Sequence, residues 1–244
     1  MRRIGPWLGI GLMGMLLAGC STLGLSQRET RAQNYATYVY ALYDRQEAQQ
    51  TPAASTPPQA PLKMAVAQIG EVAPPQAMLA ALQQEVGLVR TVQGIPGIFE
   101  LERTDQGQPN RPTESASDIR QRASTQIQQM LRVARDLGTD YLFLYGGSVD
   151  YGARSTRWSL LDLTIVGGYL IPSQELNGTA RVSGALVDVA SGRVVFLVSA
   201  DAQQHTHATT ASLEGAQDRF IDALREEAIT KLTGQFVQRL RAVT

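Results

Sequence analysis

The 244-residue chain has one cysteine, Cys20, and two histidines, His205 and His207. A single cysteine cannot close an intramolecular disulfide, so a disulfide scaffold is excluded. Its neighbours Leu16, Leu17, Ala18, Gly19, Ser21 and Thr22 bring no metal ligand either. Charge of one sign is also lacking: 22 basic residues face 22 acidic ones, which leaves nothing to draw a nucleic acid or an anionic surface electrostatically. No P-loop and no Gly-x-Ser-x-Gly nucleophile elbow occurs. The apolar run Ile4 to Leu17 falls short of the about 20 residues a membrane-spanning helix needs.

What is present at the N-terminus has an order. Arg2 and Arg3 precede the uncharged run, and the small pair Ala18 and Gly19 ends it just before Cys20. That is the sequence of a basic n-region, an apolar h-region and a small-residue cleavage site, so residues 1–19 are expected to be an export signal. Its removal takes Arg2 and Arg3 away and leaves 20 basic against 22 acidic residues, a net charge of −2.

The four residues Leu17-Ala18-Gly19-Cys20 resemble the lipobox of bacterial lipoproteins. The resemblance implies a diacylglycerol on the Cys20 thiol, cleavage that leaves Cys20 first, and usually a further acyl chain such as palmitate on the freed amine. Two or more chains hold a protein stably at a membrane, at about 0.8 kcal/mol per buried CH₂. Ser21 stands where inner-membrane lipoproteins of Gram-negative bacteria usually carry aspartate, which implies the outer membrane, on its periplasmic side.

Residues 20–61 read as the tether. The run Thr51 to Pro61 is rich in Pro, Ala, Ser and Thr and forms a spacer that cannot pack. Before it, Tyr35, Tyr38, Val39, Tyr40, Leu42 and Tyr43 make an aromatic patch, more than a linker needs. Two readings stay open for it: a short helix that folds back on the domain, or a docking element for a partner or the lipid interface.

Residues 62–244 are expected to be one globular periplasmic domain with a core of its own. Leu62 to Ile69 alternates as a strand and stops at Gly70. Pro74 and Pro75 open a helix carrying Met78, Leu79, Leu82 and Val86, and Leu88 to Val92 is again extended. Ile95 to Leu101 continues across a turn, and Thr104 to Thr113 is a loop. Asp118 with Gln121 marks a helix start, and Ile119, Ala123, Ile127, Met130, Leu131, Ala134 and Leu137 line its face until Gly138. Tyr141 to Tyr145 is apolar on both faces, as a central strand must be. Strands follow at about 157–171, 178–190 and 193–206, with a hairpin at Ser191-Gly192 and a turn at Asn177-Gly178-Thr179. A long helix from Glu214 to Arg241 closes the chain. This order predicts an α/β (α+β) fold: a two-layer sandwich with a mixed sheet of about five strands and helices on one face.

The segments Ala134 to Leu142 and Leu186 to Val194 resemble pieces of a family of periplasmic lipoprotein domains. That family includes the curli secretion lipoprotein, the penicillin-binding-protein activators and the N-terminal domain of the Tol-system translocation protein. A fuller resemblance, over most of the chain, is to the rhombotarget lipoproteins. It is carried by Cys20, Tyr35 to Tyr43, Thr164 to Tyr169 and Asp188 to Ser191. The C-terminal sorting tail of that family has no counterpart at Arg241-Ala242-Val243-Thr244, so cleavage by a rhomboid-type protease is not expected. Neither resemblance implies a catalytic residue.

Chemistry of its own is sparse. His205 and His207, two apart on a strand, point to one side and would need a third ligand such as Asp201 or Glu214 to hold a metal. No metal site and no cofactor is expected. The acidic pairs Glu100/Glu102 and Asp218/Asp222 lack an apolar setting that would tune one of them for acid–base work. The candidate interaction surface is instead the face Leu161, Leu163, Ile165, Tyr169 and Ile171, within an apolar run that contains Gly167-Gly168, together with Tyr35 and Tyr38. That run reads as a half-buried strand or as an exposed arm. The function expected is a non-enzymatic binding or assembly module of the envelope. Its partners would be the membrane, through the lipid, and an unidentified envelope protein, with a homo-oligomer as a further option. Alternatives are a self-assembling secretion or pore subunit that uses the 160–172 hairpin, and a metal-dependent hydrolase built on the two histidines.

Overall fold

The computed structural model describes residues 58–97, 116–155, 174–209 and 212–244. Five strands are connected by three helices. In chain order they are β1 (Leu62–Gln68), α1 (Gln76–Gln84), β2 (Val89–Gly94), α2 (Ala116–Asp136), β3 (Tyr141–Ser155), β4 (Gln174–Asp188), β5 (Val194–Ala208) and α3 (Leu213–Val243). One sheet holds all five strands in the order β2-β1-β3-β4-β5. It is mixed: β1 runs parallel to both neighbours, while β3, β4 and β5 are antiparallel in turn.

The expected α/β sandwich on a mixed five-stranded sheet is the fold that forms, with one difference in its cover. Helices lie on both faces, so there are three layers. Phe143 and Tyr145 point into a core completed by Met78 and Leu82 of α1 and by Phe220, Leu224, Ala228, Leu232, Phe236 and Leu240 of α3. Leu142 and Leu144 point the other way and are covered by Ala123, Ile127, Met130, Leu131 and Ala134 of α2. A strand apolar on both faces needs cover on both, and alternation of its side chains divides the core into these two clusters.

Local chemistry sets where the elements stop. α2 ends in a Schellman motif: the Thr139 N–H donates to the Ala134 carbonyl at 3.1 Å and the Gly138 N–H to the Arg135 carbonyl at 2.9 Å. Gly138 has φ +68°, which glycine adopts without a Cβ penalty. The helix begins two residues before the expected Asp118, whose carboxylate stays in the first turn against the N-terminal dipole. At the β4–β5 hairpin the Asp188 carboxylate accepts from the Ser191 N–H at 2.6 Å and the Ser191 hydroxyl at 2.7 Å, fixing the expected turn.

Two other expectations are corrected, and a third is not reached. Val86 and Leu137, placed on helix core faces by spacing, are 77% and 45% exposed because each lies just past its helix end. Asn177-Gly178-Thr179 is no turn: it lies inside β4, opposite Gly152, Tyr151 and Asp150. The strand expected at 157–171 lies outside the described residues, and β3 itself runs on to Ser155.

Candidate functional site

The residues singled out by sequence for interaction, Leu161, Leu163, Ile165, Tyr169, Ile171, Tyr35 and Tyr38, lie outside the described residues, as does the lipidation candidate Cys20. So do Glu100 and Glu102. The structure does place the two ends of the 156–173 connection side by side, because Ser155 and Gln174 are register partners at the far end of the β3–β4 ribbon.

Toward that end the sheet has two unlike faces. Leu176, Ala180, Ala200 and Ala202 face α3 and are buried. On the reverse face, cross-strand rows are polar: Ser148–Arg181–Asp201, Asp150–Thr179–Gln203, and Arg154–Glu175–His207. Asp150, Arg154, Arg181, Asp201, Gln203 and His207 are exposed. Among the described residues, this is the alternation of an antiparallel sheet packed on one side only.

His205 and His207 share that reverse face, on the edge strand β5, as their spacing predicts. Their rings meet edge to face at 4.8 Å between centroids. Beside them is the carboxylate of Glu175 of β4, register partner of His207, with Oε1 2.9 Å from Nε2 of His205. Sequence reasoning missed Glu175, since a partner one strand away leaves no mark in local spacing. Hydrogen bonds from Asn177 and then from His205 hold the Glu175 carboxyl below its ordinary range. Among the described residues no group of three or more His, Cys, Asp or Glu has the arrangement to hold a metal ion. Two imidazoles alone do not make a site, so replacing both histidines by alanine is expected to leave the effect of added zinc on the melting temperature unchanged. A site that binds metal in the folded state would stabilise by mass action, so a zinc-induced rise in the parent that vanishes in the variant would contradict this.

Where α1 and α2 depart to opposite faces, an open α/β sheet commonly leaves a ligand crevice at the strand ends. Here the chain fills it. Gly97 packs so closely over the end of β1 that a Cβ on it would lie 1.7 Å from the Gln68 carbonyl oxygen. Beside it the Tyr145 hydroxyl donates to Oε1 of Gln68 at 2.8 Å, and burial, followed by the charge of Glu71, raises the phenol above its ordinary range. A neutral, hydrogen-bonded tyrosine there is part of the packing.

A groove of about 800 Å³ lies between α1 and α3. Met78 and Ile229 form its floor, exposed Ala77, Ala81, Thr230 and Gly234 keep it wide, and Val237 borders it. At one end Arg241 closes an ion pair with Glu85 at 2.7 Å. The arrangement is an apolar trough with a charged rim, suited to a side chain or helix that is greasy on one side. The sign of it in the sequence is Thr230, Thr233 and Gly234, a run of small residues amid bulky ones at intervals of four.

Among the described residues no helix is long and apolar enough to cross a membrane. No protein-family model matches the chain, and no curated protein matches it. Among solved structures, the chain is similar to the crystal structure of lipoprotein GNA1162 from Neisseria meningitidis, at 16% identity and a TM-score of 0.30, over 68% of this chain and 99% of that one.

Proposed function

We propose that this protein is a bacterial envelope lipoprotein, held by acyl chains on Cys20 at the periplasmic side of the outer membrane, whose folded domain binds or assembles other envelope components without catalysing a reaction. One observation carries the reading: Arg2-Arg3, the uncharged run Ile4 to Leu17, and Leu17-Ala18-Gly19-Cys20 stand in the order that export and lipidation require. Ser21 supports the outer membrane over the inner. The polar face of β3, β4 and β5 and the α1/α3 groove supply surfaces for binding. The Pro-rich spacer before Pro58, which is itself buried, gives the domain reach from its anchor.

The test is the substitution Cys20→Ser in cells fed a fatty-acid probe. Labelling is expected to disappear and the protein to leave the outer-membrane fraction for the soluble periplasm. A labelled band that stays in the outer membrane would reject the anchor.

A further inference from the structure

We propose that the groove between α1 and α3 is the docking site of the Tyr35–Tyr43 segment of the same chain. The groove is present in the folded domain, and its chemistry is that of a receptor for an amphipathic helix. Its floor is apolar at Met78 and Ile229, while Ala77, Ala81 and Gly234 leave room for large rings. At Gly234 an added Cβ would meet nothing within 4 Å. The rim residues Gln84, Glu85, Gln238 and Arg241 offer polar groups to a phenol hydroxyl.

The occupant follows from pattern, length and attachment. Tyr35, Tyr38, Val39 and Leu42 recur at i, i+3, i+4 and i+7, the stripe of a helix with one apolar face. Tyrosine suits such a groove because its ring is buried while its hydroxyl stays at the polar edge. Nine helical residues span about 13 Å, the length of the nine-residue α1 that forms one wall.

The chain also joins the domain beside the groove. The Leu62 N–H donates to the Leu88 carbonyl at 2.8 Å, and the Leu88 N–H donates to the carbonyl of Glu85, which is on the rim. Pro58 is already buried against the domain. Residues 44–57 between segment and domain can extend about 45 Å, more than three times the length of α1, so the segment reaches the groove without strain.

One consequence rests on the lipid anchor proposed above. With the segment docked, only residues 21–34 separate the anchor from the domain, a reach of about 45 Å, whereas the released tether to residue 57 extends about 120 Å. Docking then sets how far from the membrane the domain works.

Disulfide trapping in the full-length chain tests the docking, with Cys20→Ser removing the native thiol. This makes the test independent of lipidation, whose failure would show in the labelling experiment alone. Tyr38→Cys paired with Ala81→Cys is expected to form an intramolecular disulfide at least about tenfold faster than Tyr38→Cys paired with Asp150→Cys on the reverse sheet face, a contrast of the size that raised effective concentration produces. Adding Gly234→Trp, which fills the groove, should bring the fast pair down to the slow rate. Equal rates for the two pairs, a bond formed mainly between two copies in dilute solution, or a fast rate that survives Gly234→Trp would each overturn the proposal. Hydrogen exchange supplies a readout free of cysteines: Tyr35→Ala with Tyr38→Ala should speed exchange of the α1 amides, and unchanged protection would count against docking.

Discussion

Replacing Phe236 by alanine is expected to lower the stability of the domain by about 3–5 kcal/mol, the range for deleting a buried phenyl ring. Phe236 is fully buried in the C-terminal half of α3. Its ring lies 4.3 Å from that of Phe143 and 5.5 Å from that of Phe196, so it joins the helix to β3 and β5 at once. The cavity left behind is lined by residues held in different strands, which cannot close in together. For a chain of this size the melting temperature should fall by about 6–20 °C. Urea unfolding followed by circular dichroism measures it, and a loss below about 1 kcal/mol would mean that α3 does not hold the sheet as described.

The second large effect comes from adding atoms. A Cβ at Gly184 of β4 would lie 2.5 Å from Cζ of Phe143, 2.6 Å from its Cε2 and 3.1 Å from the Cβ of Tyr145. That ring cannot swing away, because it packs against Phe236 on one side and stacks on Tyr145 at 5.7 Å on the other. Overpacking of this kind costs about 1–3 kcal/mol and sometimes more, so Gly184→Val is expected to destabilise strongly and Gly184→Ala less. The cause can be isolated by a double-mutant cycle. Combined with Phe143→Leu, Gly184→Ala should cost less than the two changes add up to separately, and strict additivity would show that the clash is not the cause.

The position of glycine in β3 and β4 also explains which parts of the fold can be read from sequence. β1, α1 and the end of α2 are legible, because a stop at Gly70 or Gly138 and a Pro74-Pro75 opening act through their own backbone. α3 is legible over nearly its whole length, since Phe220, Leu224, Ala228, Leu232, Phe236 and Leu240 are all buried. A row of fours winds slowly round a helix, and such an inclined ridge is what a twisted sheet can accept. The second half of β3 is not legible. Gly146, Gly147 and Gly152 look like strand breakers, yet this stretch is held residue by residue against β4, from Gly146 with Ser183 to Ser155 with Gln174. Pairing over long range decides its structure, and nothing within the segment records it. The same reason hid the third layer: a two-sided apolar strand at Tyr141 to Tyr145 asks for cover on both faces without saying which helix goes where.

The candidate surfaces divide in the same way. The shared face of His205 and His207 follows from strand period alone, whereas Glu175 and the polar rows from β3 to β5 arise only when three strands come into register. The groove needs two helices that lie far apart in sequence. The signal proposed around Cys20 is the opposite case, because export and lipidation signals are recognised as linear sequence before any domain has formed.

The central claim, a domain held at the membrane through Cys20, is tested most directly by mass spectrometry of the N-terminal peptide of the protein extracted from outer membranes. The expected result is a peptide beginning at Cys20 and carrying a diacylglycerol on sulfur and an acyl chain on the amine, with residues 1–19 absent. A peptide holding an unmodified Cys20 thiol, whether the chain begins before or after it, would contradict the account.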